Sequence, residues 1–274
     1  MPELPEVETI KNVIGPQIEG RIIEGITVAR PEVIAHPAAD VFCRAVSGQK
    51  ISSMDRRGKF LSIHLGNDSR IIMHMRMTGC LLAAPPDYPQ EKHTHIIMQL
   101  SDGMELRFSD TRRFGRFWLI RSGEEDVYSG IAKLGVEPLS AECSAGYLQK
   151  RLGKSRKAVK ECLLDQSVVA GIGNIYSDEI LFEAGIIPMR PAKSLTAEEW
   201  QRLAAAIHDS LSYFISKNRV EPQAYLETKG KDYRNTPFLQ VYGHGGEPCP
   251  KCGGTLSRSV IRGRSSVYCT HCQL

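Results

Sequence analysis

Two groups of residues have the types and spacing for chemistry. One is the chain start, Met1-Pro2-Glu3-Leu4-Pro5-Glu6. Removal of Met1, which the small Pro2 permits, leaves a secondary amine followed at once by a carboxyl side chain. Such an amine can attack a carbonyl-like carbon to give an iminium, and an adjacent acid can supply the proton that the reaction needs. The same residues also fit a frayed terminus with no chemistry. The other group is the tail, where Cys249-Pro250-Lys251-Cys252 and Cys269-Thr270-His271-Cys272 are separated by sixteen residues. Two such knuckles give four thiolates, Cys249, Cys252, Cys269 and Cys272, for one structural Zn²⁺ in a tetrahedral site. His271 lies inside the second knuckle and is a competing ligand, although an all-cysteine set is simpler.

The stretch between the knuckles predicts a β-hairpin with Arg262-Gly263-Arg264 at its turn, suited to reaching phosphate or a nucleic-acid groove. A further basic patch runs through Lys150, Arg151, Lys154, Arg156, Lys157 and Lys160 with no acid among them. Two local patches read as phosphate contacts, although either alone also fits a solvated face. Downstream, Gly171-Ile172-Gly173-Asn174 joins two helical stretches. Asn174 is a good N-cap, and a glycine-preceded helix start offers N–H groups to an anion.

The elements that must position these groups are legible in outline. With 274 residues and 42% hydrophobic content the chain suggests two domains with real cores. The net charge of +4 does not by itself imply nucleic acid. Residues 5–18 predict a helix, with Pro5 in its first turn and Val7, Ile10, Val13 and Ile14 at helical spacing. From 20 to about 120 short β-rich runs separated by turn residues predict a β-sandwich or barrel. Helices follow at 144–152, 156–165, 175–184 and 196–216, and 217–240 reads as polar and irregular. The expected class is α+β and multidomain. Residues 2–130 form an N-terminal β-sandwich with a leading helix, and 131–146 a linker. Residues 147–240 form a helical domain, and 241–274 a zinc finger. No apolar run approaches a membrane span, and charges at Glu3, Glu6, Glu8 and Lys11 interrupt any signal-peptide core, so a cytoplasmic protein without membrane partners is expected. Four further cysteines, Cys43, Cys80, Cys143 and Cys162, read as buried thiols.

Six motifs in order carry a resemblance. They are Pro2-Glu3-Leu4-Pro5-Glu6-Val7-Glu8-Thr9, Arg56-Arg57-Gly58-Lys59-Phe60, His74-Met75-Arg76-Met77-Thr78-Gly79, Asp110-Thr111-Arg112-Arg113-Phe114-Gly115, Gly171–Tyr176 and the four-cysteine tail. From residue 2 to 273 the chain resembles the bacterial formamidopyrimidine-DNA glycosylase family, also called 8-oxoguanine DNA glycosylase. The resemblance implies that 147–240 is a helix-two-turn-helix DNA-binding domain with a base-covering loop at 217–235, and that the protein is a monomer acting on double-stranded DNA containing oxidised bases, as a glycosylase and lyase of base excision repair. It makes Pro2 the amine that attacks C1′ of the damaged nucleotide, with an amine pKa of about 8 leaving a usable neutral fraction. It makes Glu3 the proton donor, expected to have a raised pKa, and Glu6 an electrostatic support or an ordinary first-turn acid. It assigns Lys59, read as lying on a strand, to β-elimination and Arg264 to the lesion phosphate and δ-elimination. Met77, Arg112 and Phe114 match the residues that fill the gap left by a flipped nucleotide, with Arg112 facing the orphaned cytosine. Met77 and Phe114 also fit an apolar core. His93, Lys154, Arg156 and Asn174 are candidate phosphate contacts.

One segment departs from the family pattern. Where the family has a glycine pair entering the loop over the flipped base, this chain reads Lys217-Asn218-Arg219-Val220-Glu221-Pro222-Gln223-Ala224-Tyr225. Ser265 replaces the usual glycine after Arg264. The alternatives are the same fold directed to oxidised pyrimidines, as in the endonuclease VIII group, and a non-catalytic damage-binding protein. Leu4 and the Met77/Arg112/Phe114 set argue against the first, and the presence of Pro2, Glu3 and Lys59 against the second.

Overall fold

The computed structural model describes residues 2–231 and 235–274. Met1 lies outside the described residues, as do 232–234 of the expected base-covering loop. The chain forms two compact units. One holds Pro2, Glu6–Ala132 and the described residues of 218–234; the other holds Glu3–Pro5, Lys133–Lys217 and Asn235–Leu274.

In the first unit, helix α1 (Leu4–Ile18) precedes two sheets. Val7, Ile10, Val13, Ile14 and Ile18 of α1 are buried in the core that both sheets share, as their helical spacing requires. The strands are β1 (Ile23–Val28), β2 (Ile34–His36), β3 (Ile51–Arg57), β4 (Phe60–Leu65), β5 (Arg70–His74), β6 (Gly79–Ala84), β7 (Thr94–Leu100), β8 (Glu105–Asp110) and β9 (Arg116–Ile120), with helix α2 (Ala39–Val46) between β2 and β3. One sheet runs β1-β7-β8-β6 and the other β2-β9-β5-β4-β3. Within these two sheets the β2–β9 pairing is parallel and the other strand pairings are antiparallel. Apolar residues from both sheets, such as Ile96, Met98, Leu106 and Phe108 from one and Leu61, Ile63, Ile71 and Phe117 from the other, form one core cluster, which makes this a sandwich.

The second unit is built on α3 (Ala145–Leu152), α4 (Val159–Leu163), α5 (Asn174–Ala184) and α6 (Ala197–Lys217). Their core includes Leu148, Leu163, Tyr176, Ile180, Trp200, Ile207 and Leu211. Ser144 caps α3, accepting from Tyr147 N at 3.2 Å. Gly185, at φ 68°, ends α5 in the left-handed conformation that glycine adopts without cost.

The segment read as irregular is ordered in part. Helix α7 (Pro222–Glu227) starts on Pro222, and Lys229 N donates to Leu226 O at 2.8 Å while Gly230 N donates to Tyr225 O at 2.7 Å. That pair of bonds, with Lys229 at φ 56°, is a Schellman ending. Tyr225 is 1% exposed within the sandwich core, so these residues pack with the first unit. The chain closes with the hairpin β10 (Ser257–Ile261) and β11 (Arg264–Tyr268). Among the described residues no helix is long and apolar enough to cross a membrane.

Candidate active site

In the second unit the chain start meets the helix-turn. Leu4 N donates to Gly171 O at 3.2 Å, and Gln166 holds the turn by accepting from Gly171 N at 2.9 Å and donating to Ile172 O at 2.7 Å. Glu3, 2% exposed, accepts from Ile175 N at 3.1 Å and Tyr176 N at 3.4 Å. These amides lie in the first turn of α5, where no intrahelical acceptor exists. Two of the N–H groups that the sequence offers to an anion are therefore taken by Glu3. Asn174 is not the cap. Gly173 holds that position, and the Asn174 Oδ1 is buried with no hydrogen-bond partner. Gly171 lies at φ +88°, and a Cβ there would be 2.6 Å from Leu4 Cδ1 and 2.8 Å from Leu4 Cβ. Gly171→Ala is expected to lose about 1–3 kcal/mol through overpacking and left-handed strain, read as a lower urea midpoint at unchanged slope.

Pro2, Glu6 and Lys59 are all buried in the first unit. Arg57 pairs with Phe60 across the β3–β4 ladder, which leaves Gly58 and Lys59 as a two-residue turn. Gly58 at φ 57° occupies the first turn position, as a type II′ hairpin demands. Lys59 thus lies on a turn and not on a strand as expected, and it is 8% exposed. His74, not singled out as a site residue from sequence, is nearby in character. Burial, helped by the Arg76 and Lys59 charges, lowers its pKa to about 3. It is neutral at pH 7, and because Nδ1 accepts from Arg76 N at 2.9 Å the proton is on Nε2. No sequence spacing signals that burial.

Met77 and Phe114 are 37% and 47% exposed, so the core reading of these two side chains is wrong. They sit on the β5–β6 and β8–β9 turns, where Arg76 and Arg113 take φ values of 55° and 58°. Asp110, 1% exposed, organises both turns. Its carboxylate accepts from Thr78 Oγ1, from Arg112 N at 3.1 Å and from Gly115 N at 2.7 Å. The Arg112 guanidinium lies 4.8 Å over the Phe114 ring. An exposed thioether, an arginine and an aromatic ring are therefore presented together on braced turns. Asp110 was missed as a site-building residue, although an aspartate opening a turn is a recognisable signal. His93, half-buried, accepts from Asp110 N at 3.0 Å through its backbone carbonyl.

Lys154 and Arg156 are exposed, but Lys160 does not belong to the surface patch. It is 0% exposed and pairs with the equally buried Asp178 at 2.7 Å. Lys160 also donates to Ser265 O at 2.9 Å, while Asp178 accepts from Ser266 Oγ at 2.6 Å and Val267 N at 3.1 Å. The pair ties α4 and α5 to the strand that begins with Arg264. The turn before that strand has Arg262 and Gly263 at φ 48° and 75°, a type I′ hairpin. Arg262 pairs with Glu161 at 3.0 Å, whereas Arg264 itself is exposed.

The sulfurs of Cys249, Cys252, Cys269 and Cys272 all lie within 4.8 Å of one another. Cys249 and Cys272 are 3.8 Å apart, and Cys252 and Cys269 3.5 Å. Tetrahedral coordination with Zn–S of about 2.3 Å puts sulfurs about 3.8 Å apart, so the four residues fit zinc. His271 is not part of the cluster. Gln273 braces the second knuckle, accepting from Cys269 N and donating to Ile186 O, both at 2.8 Å.

Family models match three stretches. The formamidopyrimidine-DNA glycosylase N-terminal domain matches residues 1–117, the H2TH domain of that glycosylase matches 134–222, and the zinc finger found in FPG and IleRS matches 246–274. A formamidopyrimidine-DNA glycosylase of Desulfitobacterium hafniense is 45% identical over 274 residues, covering 100% of both chains. The chain belongs to the formamidopyrimidine-DNA glycosylase family. Among solved structures, Lactococcus lactis Fpg in complex with DNA containing an oxidised pyrimidine has a TM-score of 0.90 and 33% identity over 99% of each chain. The same values hold for the Lactococcus lactis Fpg complex with DNA containing FAPY-dG.

Proposed function

We propose that this glycosylase excises oxidised purines, 8-oxoguanine and formamidopyrimidines, from duplex DNA and then cleaves the strand as a lyase. The observation that carries the reading is the exposed Met77, Arg112 and Phe114 set on turns braced by Asp110. A side chain of that size and apolarity, held out on a rigid turn, suits the gap left in a duplex when a nucleotide is extruded. Arg112 supplies donors to the unpaired base.

Once Met1 is removed, the Pro2 nitrogen attacks C1′, the base leaves with a proton, and ring opening of the sugar yields an iminium. Glu3 is the proton donor, held in place by the two α5 amides. Loss of a C2′ proton to a base then expels the 3′ phosphate, the step assigned to the neighbourhood of Lys59, and a second elimination expels the 5′ phosphate beside Arg264. Glu6 supports the site electrostatically, and Lys154, Arg156, His93 and Asn174 engage flanking phosphates. One Zn²⁺ on the four cysteines has a structural role, bracing the hairpin that carries Arg264. The protein works as a cytoplasmic monomer.

Borohydride trapping tests the reading. Duplex DNA with 8-oxoguanine opposite cytosine is expected to give a covalent adduct on the N-terminal peptide. Pro2→Gly is expected to leave a small residue of trapping, through glycine's own amine. Absence of an adduct with any oxidised or abasic DNA sinks the lyase mechanism. A lesion panel in which oxidised pyrimidines react fastest replaces the purine reading with the endonuclease VIII-like one.

A further inference from the structure

Two motif residues, Glu8 and Arg56, have no role in the steps above, yet their geometry is specific. Arg56 Nε donates to Glu8 Oε2 at 2.5 Å, and its Nη1 donates to Gly58 O at 3.2 Å. Lys11 Nζ donates to the other Glu8 oxygen at 2.5 Å. The Arg56 and Glu8 side chains are 8% and 16% exposed, so the pair is not a surface salt bridge screened by solvent. Burial pushes the Glu8 carboxyl up, but hydrogen bonds from Lys11 and Arg56 outweigh it and hold the group below the usual carboxylate range.

One guanidinium therefore connects the helix that follows Pro2 to the carbonyl of the turn residue that precedes Lys59. Lysine is flexible, but in a buried position its ammonium is delivered by where the backbone puts it. The backbone of a two-residue turn is set by few bonds, and Arg56 supplies one of them. We propose that Glu8 and Arg56 are positioning residues that clamp the Gly58-Lys59 turn against α1, so that the Lys59 amine is held in register with the Pro2 end of that helix during elimination. The inference rests on the proposed roles of Pro2 and Lys59. It follows from the clamp that loosening it impairs elimination more than formation of the iminium.

The test compares single-turnover strand cleavage and borohydride trapping on abasic duplex DNA for the wild type, Glu8→Gln, Arg56→Lys, Lys59→Ala and Glu8→Gln/Lys59→Ala. Small misplacement of a reacting group costs up to about a hundredfold in rate. Glu8→Gln is expected to slow cleavage by about tenfold to a hundredfold while trapping amplitude and melting temperature stay near wild type. Arg56→Lys keeps the charge but not the fork that spans Glu8 and Gly58, and is expected to behave likewise. In the Lys59→Ala background, Glu8→Gln is expected to add no further loss. An equal fold-loss in that background shows that the pair does not act through Lys59 and overturns the clamp, as does unchanged cleavage in both single variants. A wild type that forms no adduct fails the reading of Pro2 itself and takes the clamp with it. A wild type that traps normally beside unaffected variants fails the clamp alone.

Discussion

Asp178→Ala is expected to destabilise the second unit by about 3–5 kcal/mol, the typical cost of stranding one member of a buried ion pair. Lys160 would keep only the Ser265 carbonyl, at 2.9 Å, in a site with no exposure. Burial pushes the Lys160 ammonium down and the Asp178 carboxyl up. Their mutual attraction and the Ser266 and Val267 donors oppose that, and the variant removes both. Urea denaturation gives the number. A loss below about 1 kcal/mol would show that the site admits water and that the pair behaves as an exposed one. The double variant Lys160→Met/Asp178→Leu is expected to recover much of the loss, since apolar replacement of a buried pair is often neutral or better. It would not recover the order of β11, because the bonds from Asp178 to Ser266 and Val267 stay missing.

Zinc removal is expected to have the largest effect. Apparent binding energies of structural zinc sites are about 10–16 kcal/mol near neutral pH, and the metal is bound only by the folded form. The apolar cluster beneath the hairpin is small, comprising Phe182, Val241, Cys249, Leu256, Val267 and Cys269, with Cys272 packed against it. Two of its six buried members are cysteines of the metal cluster, so the core and the site fail together. A strong chelator, or Cys269→Ser, is expected to unfold the β10–β11 hairpin, release one zinc per chain, and weaken binding to lesion DNA as Arg264 loses its support. Metal analysis beside circular dichroism checks it. A metal-free protein that keeps its thermal transition and its DNA affinity would show that packing alone holds the hairpin.

Much of the frame was readable from sequence. The period of Val7, Ile10, Val13 and Ile14 predicts α1, and short β-rich runs separated by turn residues predict most of the sandwich. Other elements escape for physical reasons. β6 reads Gly-Cys-Leu-Leu-Ala-Ala, with no β-branched or aromatic residue, so it carries little strand signal. β3 is an edge strand rich in Ser, Asp and Arg, and its polarity resembles a loop. α7 is only six residues, anchored by Tyr225 in a core assembled from distant sequence. In the site, residue types pointed to Pro2, Glu3 and the cysteines, and the family resemblance to Lys59. Partners were not legible. That Glu3 meets the α5 amides, and that Lys160 leaves the basic patch for a buried pair, depends on contacts across 172 and 18 positions of sequence. Charge counted along the chain cannot tell a phosphate-facing lysine from one neutralised inside.

The segment after Asn218 has a calorimetric consequence. Tyr225 donates to Leu81 O at 3.1 Å, Tyr88 donates to Leu226 O at 2.8 Å, the Cys80 thiol donates to Lys229 O at 3.2 Å, and Lys229 pairs with Glu91 at 2.6 Å. Fixing a residue's backbone costs about 1–2 kcal/mol of conformational entropy, and for the residues of α7 that cost is met when the sandwich folds, before any DNA arrives. Lesion binding should therefore lack the large negative heat-capacity change of coupled folding from these residues. Titration at several temperatures would register it as a shallow slope of enthalpy against temperature.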